Sequence, residues 1–318
     1  PRMIEYSGGD VIVNQETGVI LSPEQFPFLK EKVGKHFIIP DGTTLLGADD
    51  KAGIAEIMAA VEYLIDHPEI EHGTVKICFT PDEEIGRGVD YFDYERFNAD
   101  FAYTIDGGEI GTINYENFNA ATAKIEITGK SIHPGDAKGK MVNAGRIAIE
   151  LDGMLPVEQK PEYTEKYEGF FHLLEIHGSI PKASLWYIIR DHDKDKFDAK
   201  KKLLLQACEY LNHKYGENIV MCNIEDSYFN MKEKIEPVMH VVETAIEAMR
   251  DLGIEPQVLP IRGGTDGARM SYAGLPTPNL FDGGYNAHGP YEFAVVEEME
   301  LAVQTIVKIV EKYAAQAK

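Results

Sequence analysis

What this sequence has least of narrows it first. Of its 318 residues only three are cysteine (Cys78, Cys208 and Cys222), and no two of them form a Cys-x-x-Cys pair. So sparse and odd a count excludes a disulfide scaffold and a cysteine-ligated zinc site. It is the usage of a reducing compartment, so the cytoplasm is the expected location. Positive charge is the second shortage: Lys plus Arg number 31 against 53 Asp plus Glu, a net charge of −22. Such a balance argues against nucleic acid or an anionic membrane as partner. No apolar run approaches the roughly 20 residues that a bilayer-spanning helix needs, and no signal peptide is visible. Internal repeats and low-complexity tracts are missing as well. Two nucleotide motifs fail: Gly129-Lys130-Ser131 has Lys124 where a P-loop needs its first glycine, and Gly263-Gly264-Thr265-Asp266-Gly267 lacks dinucleotide-loop spacing.

What is present is an ordinary globular composition, 44% hydrophobic and 26% charged, over a length that allows one large domain or two smaller ones. One pattern recurs. A short apolar run ends in carboxylate and glycine at Thr43–Gly53 (with Asp49 and Asp50), at Thr74–Thr80 (followed by Pro81-Asp82-Glu83-Glu84), and at Phe101–Ile105 (followed by Asp106-Gly107-Gly108). It returns at Gln257–Ile261 (Arg262 to Gly267) and at Asn279–Phe281 (Asp282 to His288). These runs read as strands whose ends share one edge. Between them, helices are expected over 52–66, with Ile54, Ile57, Met58, Val61 and Ile65 at helical spacing, over 237–252 and over 295–314. A further helix start is expected at Ser22-Pro23-Glu24, with Phe28, Leu29 and Val33 facing a core.

The middle changes character. Lys124–Thr128 alternates as a half-exposed strand does, followed by helix 143–155, strand 185–189, helix 195–213 and strand 219–224. The expected fold class is α/β: a mostly parallel mixed sheet with helices on both faces, carrying an inserted α+β domain of antiparallel sheet plus two helices. The expected boundaries are 1–117 and 232–318 for the two parts of the main domain, and 118–231 for the insert.

Asp49, Asp50, Glu83, Glu84, Asp106, Asp266, Asp282 and His288 all fall at strand ends. Each has an ordinary reading by itself: an N-cap, an acidic turn, a surface histidine. Together, carboxylates crowded at one edge repel one another unless a cation neutralises them. Carboxylates with an imidazole suit Zn²⁺, Mn²⁺ or Co²⁺, and a spare carboxylate able to act as base points to a two-metal hydrolytic site. His133 lies in a polar loop of the insert, where a solvated histidine is its ordinary reading. Arg262 either pairs with a neighbouring aspartate or binds a substrate carboxylate in fork geometry. Arg190 sits among Asp191, Asp193 and Asp195, so an internal ion pair is its expected role.

Six segments, in order, carry a resemblance over nearly the whole chain: Gly47-Ala48-Asp49-Asp50-Lys51, Thr80-Pro81-Asp82-Glu83-Glu84-Ile85-Gly86, Tyr103-Thr104-Ile105-Asp106-Gly107-Gly108, His133-Pro134-Gly135, Ile261-Arg262-Gly263-Gly264-Thr265-Asp266-Gly267 and Asn286-Ala287-His288-Gly289. The chain resembles the M20 family of co-catalytic zinc peptidases, and within it the tripeptide aminopeptidases. The resemblance implies two Zn²⁺ ions bridged by Asp49, with Glu84, Asp106 and His288 as further ligands. It implies that Glu83 is the general base for a hydroxide held by the metals, and that His133 meets the substrate or the developing oxyanion. It also implies that Arg262, with Arg190, holds the peptide's C-terminal carboxylate, and that the Asp49–Asp50 peptide is cis. Short peptides are then the substrates, and a homodimer is among the expected assemblies. One departure stands out. The family's upstream His-x-Asp has no counterpart before Asp49, where His36 is the only histidine, and the first residue is Pro1. The expectation is therefore a chain that lacks the family's N-terminal segment and one zinc ligand. A related amidohydrolase or dipeptidase, and a catalytically dead binding protein, are the alternative readings.

Overall fold

Helix Ala48–Asp66 is where the sequence pattern and the fold part company. The computed structural model describes residues 1–316. The helix forms, but its buried face is Ala52, Gly53, Glu56, Ala60 and Leu64. The apolar stripe expected to face the core is largely open: Ile54 is 43%, Met58 50% and Ile65 72% exposed. The reason is a close approach. A Cβ on Gly53 would lie 2.0 Å from the Ile105 carbonyl oxygen and 2.6 Å from Asp50 Oδ1, so only the small-residue face can reach the strand. Farther along, Ala60 and Leu64 pack on Val307 of helix Val296–Gln316. Replacing Gly53 with alanine forces that contact apart and is expected to cost about 1–3 kcal/mol, the usual penalty of overpacking. Urea denaturation of both proteins measures it; an unchanged midpoint would mean that the helix seats differently.

The chain divides into two units. The first gathers residues 1–115, 233–259 and the chain from Met270 onward; the second gathers 116–232 and 260–269. In the first unit, strands Thr104–Ile105, Asn279–Leu280, Thr112–Asn114 and Gln257–Val258 form one sheet. Two of its three pairings are parallel and the central one is antiparallel, so the sheet is mixed. A second sheet was not anticipated. It is wholly antiparallel and joins Arg2–Glu5, His36–Ile39, Phe293–Val295 and Gly284–Tyr285. Its core holds Tyr6, Leu29, Phe37, Ile39 and Phe293, with Tyr6 stacked on Phe37 at 4.8 Å.

Two expected elements differ in this unit. Thr74–Thr80 has no regular structure and is largely exposed, Val75, Ile77 and Phe79 included. An extended run becomes a strand only when a neighbour accepts its backbone groups. No strand pairs with it among the described residues. The expected helix at Ser22 is a turn, in which Ser22 Oγ accepts from the Glu24 N–H at 3.3 Å; a 3-10 helix follows at Pro27–Lys32. Leu29 is buried there, whereas Val33 is exposed.

The second unit is an antiparallel sheet in the order Val220–Tyr228, Asn119–Thr128, Lys182–Asp191, Phe170–Gly178. Helices Ala144–Met154 and Lys194–Tyr215 contribute Ile147, Leu151, Phe197 and Leu204 to a core shared with Ile125, Ile127, Leu185 and Ile189. Strand Phe170–Gly178 was not anticipated, because a register shift between Leu173 and Glu175 breaks its alternation. Among the described residues no helix is long and apolar enough to cross a membrane.

Candidate metal centre

Glycine and a buried glutamate shape the stretch that carries the two aspartates. Gly47 adopts the left-handed conformation (φ 63°) and opens helix Ala48–Asp66, yet Asp49 and Asp50 keep non-helical dihedrals and share a cis peptide bond. The Glu292 carboxylate accepts from the Gly47 N–H at 2.7 Å and from the Asp49 N–H at 3.0 Å. Asp50 Oδ1 accepts from the Gly53 N–H at 3.1 Å, the bond of an N-cap. The ordinary reading thus holds for Asp50. Asp49, whose backbone is already served by Glu292, has its side chain free for other work.

That side chain meets His288. His288 Nε2 lies 2.7 Å from Asp49 Oδ2 and 3.0 Å from Glu84 Oε2, and one ligand atom from each of the three residues falls within 4.8 Å of the others. Glu84 is carried on the short 3-10 turn Glu83–Ile85, bounded by left-handed Asp82 and Gly86. His288 itself has φ 63° and follows Asn286 at φ 55° in the turn after strand Gly284–Tyr285. Against burial, which pulls its pKa down, the charges of Glu84 and Asp49 hold the His288 imidazole above its usual range.

Behind this trio the carboxyls converge. Burial, then Asp50, Asp49, Glu83 and Asp282, push Asp106 up to about 9. Burial and Asp282 push Asp50 up to about 8, although the Gly53 N–H works against them. Asp282 is raised to about 6, chiefly by burial, and is held down by N–H bonds from Gly108 and Gly284 at 2.8 Å each. Glu56, only 1% exposed, is raised to about 10 by burial, Asp282 and Asp50, and neither of its oxygens has a hydrogen-bond partner. Burial and the mutual repulsion of the carboxylates favour the protonated forms of Asp50, Glu56 and Asp106. A divalent cation would neutralise them, and the donor set of two carboxylates and one imidazole suits a zinc-like ion. The residues fit a metal.

Of the residues expected at the site, Asp49, Glu84 and His288 are brought together. Asp106, Asp50, Asp282 and Glu83 lie within electrostatic reach of them. Asp266 falls in the second unit. So do the three residues assigned to substrate. His133 is exposed, and its Nδ1 accepts from the Gly135 N–H at 3.2 Å. Arg262 stacks on Phe118 at 5.1 Å and donates to the carbonyls of Lys166, Glu168 and Thr164 and to the Thr164 hydroxyl. Arg190 does not form the ion pair expected of it. Asp191 pairs with Lys200 at 2.8 Å, Asp193 caps helix Lys194–Tyr215, and the Arg190 guanidinium lies 5.1 Å from the Tyr228 ring centroid. Successive strand residues point to opposite faces, so the Asp191 side chain lies on the other side of the strand from Arg190. Sequence reasoning missed Glu56 and Glu292. Glu56 carried a signal, since it sits in the small-residue stripe of its helix; Glu292 carried none.

Residues 38–312 match the family described as peptidase family M20/M25/M40. Peptidase T of Caldanaerobacter subterraneus subsp. tengcongensis is 62% identical over 314 residues, 98% of this chain and 77% of that relative. Peptidase T of Bacillus subtilis is 55% identical over 318 residues, 100% of this chain and 78% of that relative. Among solved structures, aminopeptidase PepT from Bacillus cereus superposes with a TM-score of 0.78 at 28% identity, covering 89% of this chain and 77% of that one. A tripeptidase from Staphylococcus aureus gives 0.78 at 25% identity, covering 90% and 78%. The α/β fold expected from the sequence is the fold of these structures.

Proposed function

The chain belongs to peptidase family M20/M25/M40, and from that premise we propose that it is a metal-dependent aminopeptidase that releases the N-terminal residue from tripeptides. The observation that carries this reading is His288 Nε2 in contact with both Asp49 and Glu84, with Asp50, Asp106 and Asp282 close behind them. Its relatives are named peptidase T, and a structure of the same fold is a tripeptidase.

Asp49, Glu84, Asp106 and His288 are the residues that would hold two Zn²⁺ ions, with Asp49 shared between them. A metal held by these residues would supply Lewis acidity for the scissile carbonyl and for water. Glu83, next in sequence to the ligand Glu84, takes the proton from the attacking water and returns it to the leaving amine. Asp50 fixes the start of the helix and so the direction of Asp49. Glu292 holds the backbone of Gly47 and Asp49 in place. In the second unit, Arg190 has no carboxylate partner among the described residues and supports the binding of a peptide's C-terminal carboxylate. His133 and Arg262 are the other substrate-binding groups of this proposal. A reducing, cytoplasmic location and a homodimer complete it.

The test is metal-stripped chain reloaded with Zn²⁺ and offered tripeptides, dipeptides and N-acyl amino acids. The expected result is release of the N-terminal residue from tripeptides that returns with metal and is lost with chelator. Preferential cleavage of dipeptides or N-acyl amino acids would move the reading to a related amidohydrolase. Bound metal with no turnover of any substrate would move it to a binding protein.

A further inference from the structure

Helix Lys194–Tyr215 and strand Val220–Tyr228 are joined by a short connection, and one side chain fixes their register. The Asn212 amide donates to the Val220 carbonyl at 2.8 Å and accepts from the Val220 N–H at 2.7 Å. Four residues before Asn212, on the same face of the helix, is Cys208; two residues after Val220, on the same face of the strand, is Cys222. The clamp therefore sets the two cysteines opposite each other, one layer deeper. Both pack on the core of the second unit: Cys208 is 4% exposed and Cys222 is partly exposed. The two thiols are close enough to shift each other's pKa, that of Cys208 upward and that of Cys222 downward.

We propose that Cys208 and Cys222 form a peroxide-reactive dithiol site that closes to an intramolecular disulfide between helix and strand. The more accessible Cys222 is the attacking sulfur, and Cys208 resolves the product. Two features give this order. Solvent reaches Cys222, and the interaction of the two thiols lowers the Cys222 pKa while raising that of Cys208. In the first step the Cys222 sulfur bonds to one peroxide oxygen and the O–O bond breaks. The thiol proton leaves with the departing hydroxide as water, and a sulfenic acid remains. In the second step the Cys208 sulfur bonds to the Cys222 sulfur, the S–O bond breaks, and the Cys208 proton leaves with that oxygen as a second water. Two thiols are oxidised by two electrons in all, and one peroxide is reduced to two waters. A dithiol reductant reverses the change by thiol–disulfide exchange.

The experiment uses the full chain with Cys78→Ser, which removes the exposed third thiol, and hydrogen peroxide as probe. Trypsin cleaves after Lys214, between the two cysteines, so a bridge appears as two peptides joined with the loss of two hydrogen atoms. The expected result is that both thiols disappear together with no disulfide between chains, that the joined peptide forms, and that dithiothreitol restores both thiols. In the Cys222→Ser variant Cys208 should stay alkylatable under the same dose, with circular dichroism confirming that the variant is folded. Overturning results are sulfinic acid on Cys222 with no joined peptide, or both thiols intact at a dose that oxidises Cys78 in the parent chain. Oxidation of Cys208 at the parent rate in folded Cys222→Ser protein would overturn the order of attack.

Discussion

Exchange of Glu83 for glutamine is expected to lower kcat for tripeptides by about 10²–10⁴-fold while leaving the metal content unchanged. Glutamine keeps the size of the side chain and its ability to hydrogen-bond, but it cannot take a proton from water. The two carboxylates of the acidic pair occupy different positions. Glu84 contacts His288 at 3.0 Å, and Glu83 occupies the preceding position of the same 3-10 turn, where consecutive side chains diverge. One can serve as ligand and the other as base. Metal content per chain and initial rates on one tripeptide, measured on the same preparations, check this. A variant that turns over within a few-fold of the parent removes Glu83 as the base. A variant that loses its metal makes Glu83 a ligand instead.

The second large effect is on stability. The Glu56 carboxyl has an ordinary pKa near 4.5 and is raised to about 10 in the fold, so the folded chain holds a proton that the unfolded chain releases. Its contribution is fully present below about pH 4.5 and is lost as pH rises toward about 10, at roughly 1.4 kcal/mol per pH unit. Asp282, raised from 3.8 to about 6, adds a loss of the same sign over a narrower window. Metal-free chain should therefore be more stable at about pH 5 than at about pH 8. The Glu56→Gln variant should converge with it near the lower value and exceed it increasingly above. Glutamine also leaves its polar atoms buried and unpaired, so the local packing cost is similar and the pH slope isolates the proton. Urea midpoints of both proteins across this range measure the difference; parallel curves would show that Glu56 ionises normally.

Much of the candidate site was legible locally. Carboxylate followed by glycine at the end of an apolar run is a backbone signal as well as a chemical one, because a chain that turns sharply at a sheet edge needs glycine where it turns. Gly47 at φ 63° and Gly53 against the Ile105 carbonyl meet two such needs around Asp49. The same pattern marked Glu84, Asp106, Asp282 and His288. The antiparallel sheet with two helices was legible too, since strict alternation at Lys124–Thr128 and helical spacing at 143–155 are properties of short windows.

Other features depended on neighbours far away in sequence. Helical spacing shows that Ile54, Met58 and Ile65 share a face, but not that anything covers it. Packing chose the face of Ala52 and Gly53 because the helix backbone comes too close to the Ile105 carbonyl for a side chain at Gly53. Thr74–Thr80 has the composition of a strand but pairs with none among the described residues, and backbone hydrogen bonds cannot be supplied by one segment alone. Arg190 is next to Asp191 in sequence and on the opposite face of the same strand, so Lys200, nine residues on, takes that carboxylate. Glu56 favours its protonated form only because folding takes it out of water and sets Asp282 and Asp50 near it. The sequence by itself determined the chemistry available at the strand ends, because residue type and short-range spacing are local. Which of those groups touch, which faces are buried and which carboxyls keep their protons were decided by tertiary structure, because burial and charge coupling depend on distances that only the folded chain sets.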